Sequence, residues 1–268
     1  MDLTVKLLVA DVFRREVHRA RSLAADLAAE EESRVGVPIN IPDGLPAKHT
    51  LHQERIFALE EEVAEHQQIR PLKIAILNLM PTKIQTETQI LRLISKSPIQ
   101  VSCDFMRISS HVSKHTPEDH LVTFYDTFES FEHKNYDGLI VTGAPLEDMR
   151  YEDVDYWDEL CRIIDWSQEH CFSTMYLCWG ALAGLYYLYG IPKKQLGSKL
   201  FGIFPQRLCD EYSFLTNGFD EVHSMPHSRH AAIDTGELSK HPELAVLSEG
   251  FDSGPALLAT RDFHEIYV

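Results

Sequence analysis

The sequence lacks the long apolar run that a membrane-crossing helix needs. None of its hydrophobic stretches reaches about 18 residues, so no transmembrane span and no membrane partner is expected. Its first ten residues carry Asp2 and Lys6 and do not end in a cleavage-type site, a poor secretory signal, and a cytoplasmic location is expected. Basic residues are outnumbered: 25 Lys and Arg stand against 41 Asp and Glu, a net charge of −16. That balance argues against nucleic acid or an anionic membrane as a partner and leaves any anionic substrate to a local patch. Cysteines are few and odd in number: Cys103, Cys161, Cys171, Cys178 and Cys209. No C-x-x-C pair or His/Cys cluster has metal spacing, so a reduced compartment and no metal site are expected. Internal repeats and low-complexity segments are absent as well.

What is present is ordinary globular composition, 44% hydrophobic and 25% charged over 268 residues, a length that suits one large α/β domain. Residues 1–35 read as an Ala-, Glu- and Arg-rich helical extension, and residues 36–268 as the main domain. Pro38, Pro42, Gly44 and Pro46 break the chain between them. A short helix is expected over 51–68. Leu72–Leu79 is a nearly continuous apolar run, the pattern of a parallel strand buried on both faces. Further strands are expected at Ile99–Arg107, Tyr136–Thr142 and Phe172–Leu177, with helices at Thr86–Ile94, Leu121–Phe131 and Asp155–Trp166. Asp153, Asp155, Asp158 and Glu159 read as a solvated face. Residues 200–225, Leu244–Leu247, Ala256–Ala259 and Ile266–Val268 read as β structure. Strands alternating with helices predict a mostly parallel sheet with helices on both faces. Active sites of such sheets gather beyond the carboxyl ends of the strands. The loops 78–82, 142–147 and 178–180 qualify.

Cys178 stands where an apolar strand runs into the small-residue segment Trp179-Gly180-Ala181-Leu182-Ala183-Gly184. A nucleophile at such a turn has an exposed side chain, and the helix N-terminus beside it favours the thiolate. The same design is the nucleophile elbow of serine hydrolases, with Tyr176 here in place of the usual Gly two residues earlier. The competing reading is a buried cysteine acting as a small hydrophobe.

Five strings occur together in order: Arg70-Pro71-Leu72-Lys73-Ile74-Ala75-Ile76-Leu77-Asn78-Leu79-Met80-Pro81-Thr82-Lys83-Ile84, Asp137-Gly138-Leu139-Ile140-Val141-Thr142-Gly143-Ala144-Pro145, Cys178-Trp179-Gly180, Tyr189-Gly190-Ile191-Pro192-Lys193 and Pro226-His227-Ser228-Arg229. Over about residues 36–268 the chain closely resembles the homoserine O-acyltransferase family of methionine biosynthesis, the homoserine transsuccinylases and transacetylases. The resemblance implies a class I glutamine amidotransferase-like fold and a ping-pong acyl transfer from acyl-CoA to an amino-acid hydroxyl. By the family pattern Cys178 is the acyl-thioester nucleophile, Lys199 and Ser228 bind substrate, and Glu147 biases the enzyme toward acetyl-CoA. A carboxylate at that place repels a succinyl carboxylate and fills its space. Taken without the resemblance, Lys199 and Glu147 are surface charges and Ser228 a loop serine. The expected oxyanion donors are the backbone amide of Trp179 and amides of the Asn78–Pro81 loop. Acetyl-CoA enters as co-substrate, and no bound cofactor is implied. A homodimer is compatible with the sequence.

One part of the family pattern has no counterpart. The resemblance implies a catalytic His-x-Glu unit and a substrate-binding Arg after the strand matched by Glu265–Val268, where this sequence ends. His264 precedes that strand and is out of register. His223, His227 and His230 remain open as stand-ins for the base. The leading expectation is an O-acetyltransferase acting on L-homoserine, with slow turnover in this chain. A serine O-acetyltransferase of cysteine biosynthesis differs by one methylene of acceptor, worth only about 1–3 kcal/mol of discrimination. A catalytically impaired relative acting as a binding protein is the third reading.

Overall fold

Leu72–Leu77 forms strand β3, and its side chains alternate between two hydrophobic cores. Ala75 and Leu77 join one core; Ile74 and Ile76 join the other. The same division runs through β6 (Gly138–Val141), β7 (Thr174–Tyr176) and β12 (Glu265–Tyr267). Leu139, Val141, Tyr176 and Tyr267 lie on the first side, and Ile140, Met175 and Ile266 on the second. A sheet buried on both faces needs cover on both, and helices supply it. The helices α4 (Trp157–His170) and α5 (Trp179–Tyr189) contribute Leu160, Ile164 and Leu185 to the first core. Helices α1 (Ala47–Gln53) and α2 (Lys83–Ile94) contribute Leu51, Ile90 and Leu91 to the second.

This architecture comes from a computed structural model, which describes residues 39–54, 56, 58–60, 70–111, 116–210 and 213–268. The N-terminal extension expected over residues 1–35 lies outside the described residues. Among those described, one 12-stranded sheet has the order β2-β1-β4-β3-β6-β7-β12-β11-β10-β8-β9, with β5 paired to β4. From β2 (Ala58–Glu60) across β1 (Ile39–Ile41), β4 (Val101–Arg107), β3, β6 and β7 to β12, all pairings are parallel. Beyond β12 the sheet turns antiparallel through β11 (Gly254–Thr260), β10 (Leu244–Gly250), β8 (Lys193–Leu208) and β9 (Val222–Ile233). The mostly parallel α/β sheet expected from the sequence is thus present, with an antiparallel extension that the sequence showed only as short β segments. No helix among the described residues is long and apolar enough to cross a membrane.

Three local expectations are corrected. The helix expected over 51–68 is found at Ala47–Gln53, and Ala58–Glu60 is a strand instead; residues 61–68 lie outside the described residues. The helix expected over Leu121–Phe131 ends early: α3 covers Glu118–Phe124, and Tyr125–Thr127 pairs with β4 as β5. Tyr125 is β-prone and buried, and sheet pairing wins there over helix continuation. Glu159 does not belong to a solvated face. It is buried and accepts hydrogen bonds from the backbone amides of Ser109 and Ser110, both at 2.8 Å, and from both hydroxyls. Those bonds compensate the burial of its charge.

Register brings the strand ends into line. Leu77 pairs with Val141, Val141 with Tyr176, and Tyr176 with Tyr267. The residues just after them, Asn78, Thr142, Leu177 and Val268, therefore form a row at the carboxyl edge of the sheet. Leu177 N donates to Val141 O at 2.9 Å, and Cys178 N donates to Val268 O at 2.7 Å. Helix α5 packs close beneath this edge. A Cβ on Gly180 would sit 2.7 Å from the carbonyl oxygen of Thr142 and 3.1 Å from that of Val141. We expect Gly180→Ala to destabilise the fold by about 1–3 kcal/mol, since neither contact is with a flexible side chain. Gly197→Ala, which meets nothing within 4 Å, is the control. Urea midpoints read the difference; equal midpoints for the two variants would contradict this account of the packing.

Candidate active site

Cys178 has φ 53° and ψ −118°, a conformation that a non-glycine residue rarely adopts. It is the residue immediately before α5, and only Leu177 separates it from β7, so the chain passes from strand to helix within two residues. The turn lifts the side chain out of the sheet, and Cys178 is exposed to solvent. This agrees with the elbow expected from the sequence and excludes a cysteine buried as a small hydrophobe. The backbone amide of Trp179 reaches the Cys178 sulfur and favours its anion. Desolvation by the surrounding protein nevertheless dominates and pushes the thiol pKa above its ordinary value; the charge of Glu147 pushes in the same direction, and Arg229 pulls back. The lowering by the helix N-terminus that the sequence predicts is present and is the smaller effect.

The second expected oxyanion donor is corrected. In the Asn78–Pro81 loop, Asn78 N donates to Met106 O at 3.2 Å, Leu79 N to the Thr142 hydroxyl at 2.8 Å, and Met80 N to Asn78 Oδ1 at 3.2 Å. Proline has no amide hydrogen. The loop's donors are thus engaged in its own scaffold. It rests on Asn78, whose Nδ2 donates to the Tyr125 hydroxyl at 2.8 Å, and on Glu87, which accepts from Tyr125 at 2.5 Å and bonds His120 at 2.9 Å. Lys83 donates from below to the carbonyl of Asn78, and burial pulls its pKa down to about 8. The backbone that does run beside the nucleophile is at Gly143, where a Cβ would lie 3.1 Å from Cys178 Cβ and 3.5 Å from Sγ.

Cys178 opens into a cavity of about 560 Å³, walled by Leu177, Leu182, Met225, Ala231 and Leu258 among other apolar groups. Glu147, Trp179, Ser228 and Val268 also line it. Glu147 is half-buried, and its position is set from β8: Gln195 Nε2 donates to Glu147 O at 2.5 Å, and Lys193 Nζ donates to the carbonyls of Leu146, at 3.4 Å, and Met149. Lys199 is exposed on β8, with Nζ 5.5 Å from the centroid of Phe201, a residue at the cavity mouth. It is not itself among the lining residues.

The sequence marks no role for one lining residue, Arg229. Along β9 burial alternates: Met225, His227 and Ala231 are buried while Pro226, Ser228 and His230 are exposed. Arg229 falls on the buried side of that alternation. His227 bonds Gln206 at 3.0 Å, and burial first, then the charge of Arg229, push its pKa down to about 4. His223 lies outside the cavity lining and bonds Ser248 at 3.0 Å. A signal for Arg229 exists: it directly follows Ser228 in a strand whose period-two pattern puts neighbours on opposite faces.

The field at the thiol is testable. Glu147→Gln removes a negative charge that opposes ionisation, so alkylation of Cys178 by iodoacetamide at neutral pH should speed up roughly severalfold. Mass spectrometry of the labelled peptide reads the rate. An unchanged rate would mean that Glu147 does not act on the thiol.

Comparison with known proteins shows the family and the fold. The chain is 59% identical over 232 residues to a homoserine O-acetyltransferase of Bifidobacterium adolescentis, covering 87% of this chain and 67% of that protein. It is 50% identical to a homoserine O-acetyltransferase of Clostridium acetobutylicum, covering 87% of this chain and 77% of that protein. Among solved structures, a putative GMP synthase protein of Thermoplasma acidophilum matches with a TM-score of 0.54 at 13% identity, over 75% of this chain and 84% of that one. A glutamine amidotransferase of Thermotoga maritima matches with a TM-score of 0.51 at 9% identity, over 75% of each chain. Those two likenesses show the fold, a glutamine amidotransferase-like α/β sheet. The family model described as homoserine O-succinyltransferase matches residues 38–268. With a strained cysteine at the elbow, this fold and these relatives, the chain belongs to the homoserine O-succinyltransferase family of acyltransferases.

Proposed function

We propose that the protein transfers an acetyl group from acetyl-CoA to the hydroxyl of L-homoserine through a thioester on Cys178. The observation that carries this reading is the nucleophile itself: a cysteine in a strained strand-to-helix turn, opening into an apolar cavity with the Trp179 amide on its sulfur. The names of the relatives in Bifidobacterium and Clostridium support the acceptor and the acyl group. Glu147 in the cavity wall supports acetyl over a dicarboxylic acyl group. Unpaired thiols at all five cysteines are in keeping with a cytoplasmic enzyme.

In the first half-reaction the Cys178 thiolate attacks the thioester carbonyl of acetyl-CoA. Charge develops on the carbonyl oxygen within reach of the Trp179 amide, and the CoA thiolate leaves. In the second, the homoserine hydroxyl attacks the acetyl-cysteine, loses its proton, and the Cys178 thiolate leaves. That proton needs an acceptor. His227 is the one histidine among the described residues that lines the cavity, and with a pKa near 4 it is a weak base at neutral pH. Acylation is therefore expected to outrun transfer, with the second step slower by about 10²–10⁴-fold than one assisted by a matched general base.

Three measurements test this. Initial rates with acetyl-CoA and homoserine varied together should give the parallel double-reciprocal lines of a ping-pong reaction. Glu147→Gly should raise the kcat/KM ratio of succinyl-CoA to acetyl-CoA by about tenfold or more. Intersecting lines would remove the acyl-enzyme from the reading, and an unchanged donor ratio would remove the role of Glu147. L-serine run beside L-homoserine decides the acceptor.

A further inference from the structure

Lys193 ends the string Tyr189-Gly190-Ile191-Pro192-Lys193, yet it does not line the cavity that holds Cys178. Its ammonium reaches into the turn that carries Glu147. Nζ donates to the carbonyl of Leu146 at 3.4 Å and to that of Met149, the residues that bracket Glu147 and Asp148. The same Nζ lies 4.6 Å from the centroid of the Tyr151 ring, and Tyr151 stacks on Tyr186 of α5 with centroids 4.4 Å apart. The turn's own backbone bonds are local: Leu146 N donates to Ala144 O at 2.9 Å, and Met149 N to Leu146 O at 3.2 Å. They shape the turn without tying it to the sheet.

Packing does not hold this turn in place. Glu147 lines the cavity of Cys178, Leu146 and Met149 wall a second cavity of about 470 Å³, and Asp148 is exposed. A segment bordered by open space has few packed neighbours, so its placement rests on hydrogen bonds from outside. Strand β8 supplies them, two from Lys193 and one from Gln195 Nε2 to Glu147 O at 2.5 Å. Lys193 is the stronger anchor. It is half-buried where Gln195 is exposed, and it spans the turn by bonding a carbonyl on either side of Glu147. Burial lowers its pKa, and the charges of Asp148, Glu147 and Glu152 oppose that lowering, so the ammonium faces three carboxylates of the segment it holds.

We propose that Lys193 is a positioning residue for Glu147: by clasping the carbonyls of Leu146 and Met149 it holds that carboxylate beside the Cys178 thiol, and the choice of acyl donor thereby depends on a side chain outside the cavity. The dependence of donor choice rests on the role that the proposed function gives Glu147. The two ways in which Lys193 could act have opposite signs. As a charge alone it would favour the thiolate and an anionic acyl group, and its removal would slow alkylation of Cys178 and lower the use of succinyl-CoA. As an anchor, its removal frees Glu147, whose charge opposes both, and both rise.

The test is a double-mutant cycle on the whole chain, read by the pH profile of Cys178 alkylation with iodoacetamide. Lys193→Met should move the midpoint to lower pH and raise the rate at neutral pH roughly severalfold. In the Glu147→Gln background the same substitution should change nothing. Lys193→Arg, which keeps the charge and the donors, should restore the wild-type profile. Lys193→Gln, too short to span both carbonyls, should behave as Lys193→Met and decides the matter if that variant does not fold. A midpoint that stays or moves to higher pH would overturn the proposal, as would an equal shift in the Glu147→Gln background, the mark of a site merely loosened. The kcat/KM ratio of succinyl-CoA to acetyl-CoA, measured on the same proteins, should rise in Lys193→Met and rise no further when Lys193→Met is added to Glu147→Gly. If Glu147→Gly changes that ratio and Lys193→Met does not, the anchor fails. If neither changes it while the midpoint moves, the donor role of Glu147 fails and the anchor stands.

Discussion

The close approach of helix α5 to the carboxyl edge of the sheet is the constraint on which the site depends. Gly180 lies so near the carbonyls of Val141 and Thr142 that a methyl group has no room. A turn further on, Gly184 lies against the rings of Tyr176 and Tyr267, which stack with centroids 5.1 Å apart. That approach leaves only Leu177 and Cys178 between strand and helix, and Cys178 absorbs the change with a positive φ. Strain of this kind costs on the order of 1–3 kcal/mol and persists only when its surroundings over-determine it. Here the surroundings are the hydrogen bond from Cys178 N to Val268 O, the Gly143 backbone beside the thiol, and the small-residue face of the helix.

The electrostatics of the thiol follow from the same packing. Drawing Cys178 against the edge surrounds its sulfur with protein atoms, and desolvation raises the pKa more than the Trp179 amide and Arg229 lower it. Burial thus disfavours the Cys178 thiolate. Glu147 and Arg229 set that balance from opposite sides. A cationic ligand group near Glu147, or an anionic one near Arg229, would shift it in opposite directions.

Much of this is legible in the sequence where a residue's role depends on local pattern. The nearly continuous apolar run at Leu72–Leu79 and the small residues after Cys178 each have a local cause, and each element appears where its pattern puts it. The antiparallel hairpin β8–β9 does not show itself, because its pairing is a long-range fact that no local period announces. Glu159 and the Asn78 loop depart from expectation for a related reason. Whether a carboxylate or a backbone amide is free depends on partners 50 or 63 residues away, Ser109 and Thr142. Arg229 needs the burial phase of β9 as well as its parity. The family resemblance identifies Ser228 beside it; the burial alternation of β9 supplies the phase.

The central claim is that the strained turn makes Cys178 the residue that carries the acyl group. It is tested most directly by mixing the protein with acetyl-CoA alone, quenching in acid, and mapping the acetylated peptides. The account predicts a hydroxylamine-labile acetyl thioester on the peptide containing Cys178, absent from Cys178→Ala. A thioester on Cys209 or Cys103 with Cys178 unmodified would contradict it, as would CoA release with no cysteine acylated at all.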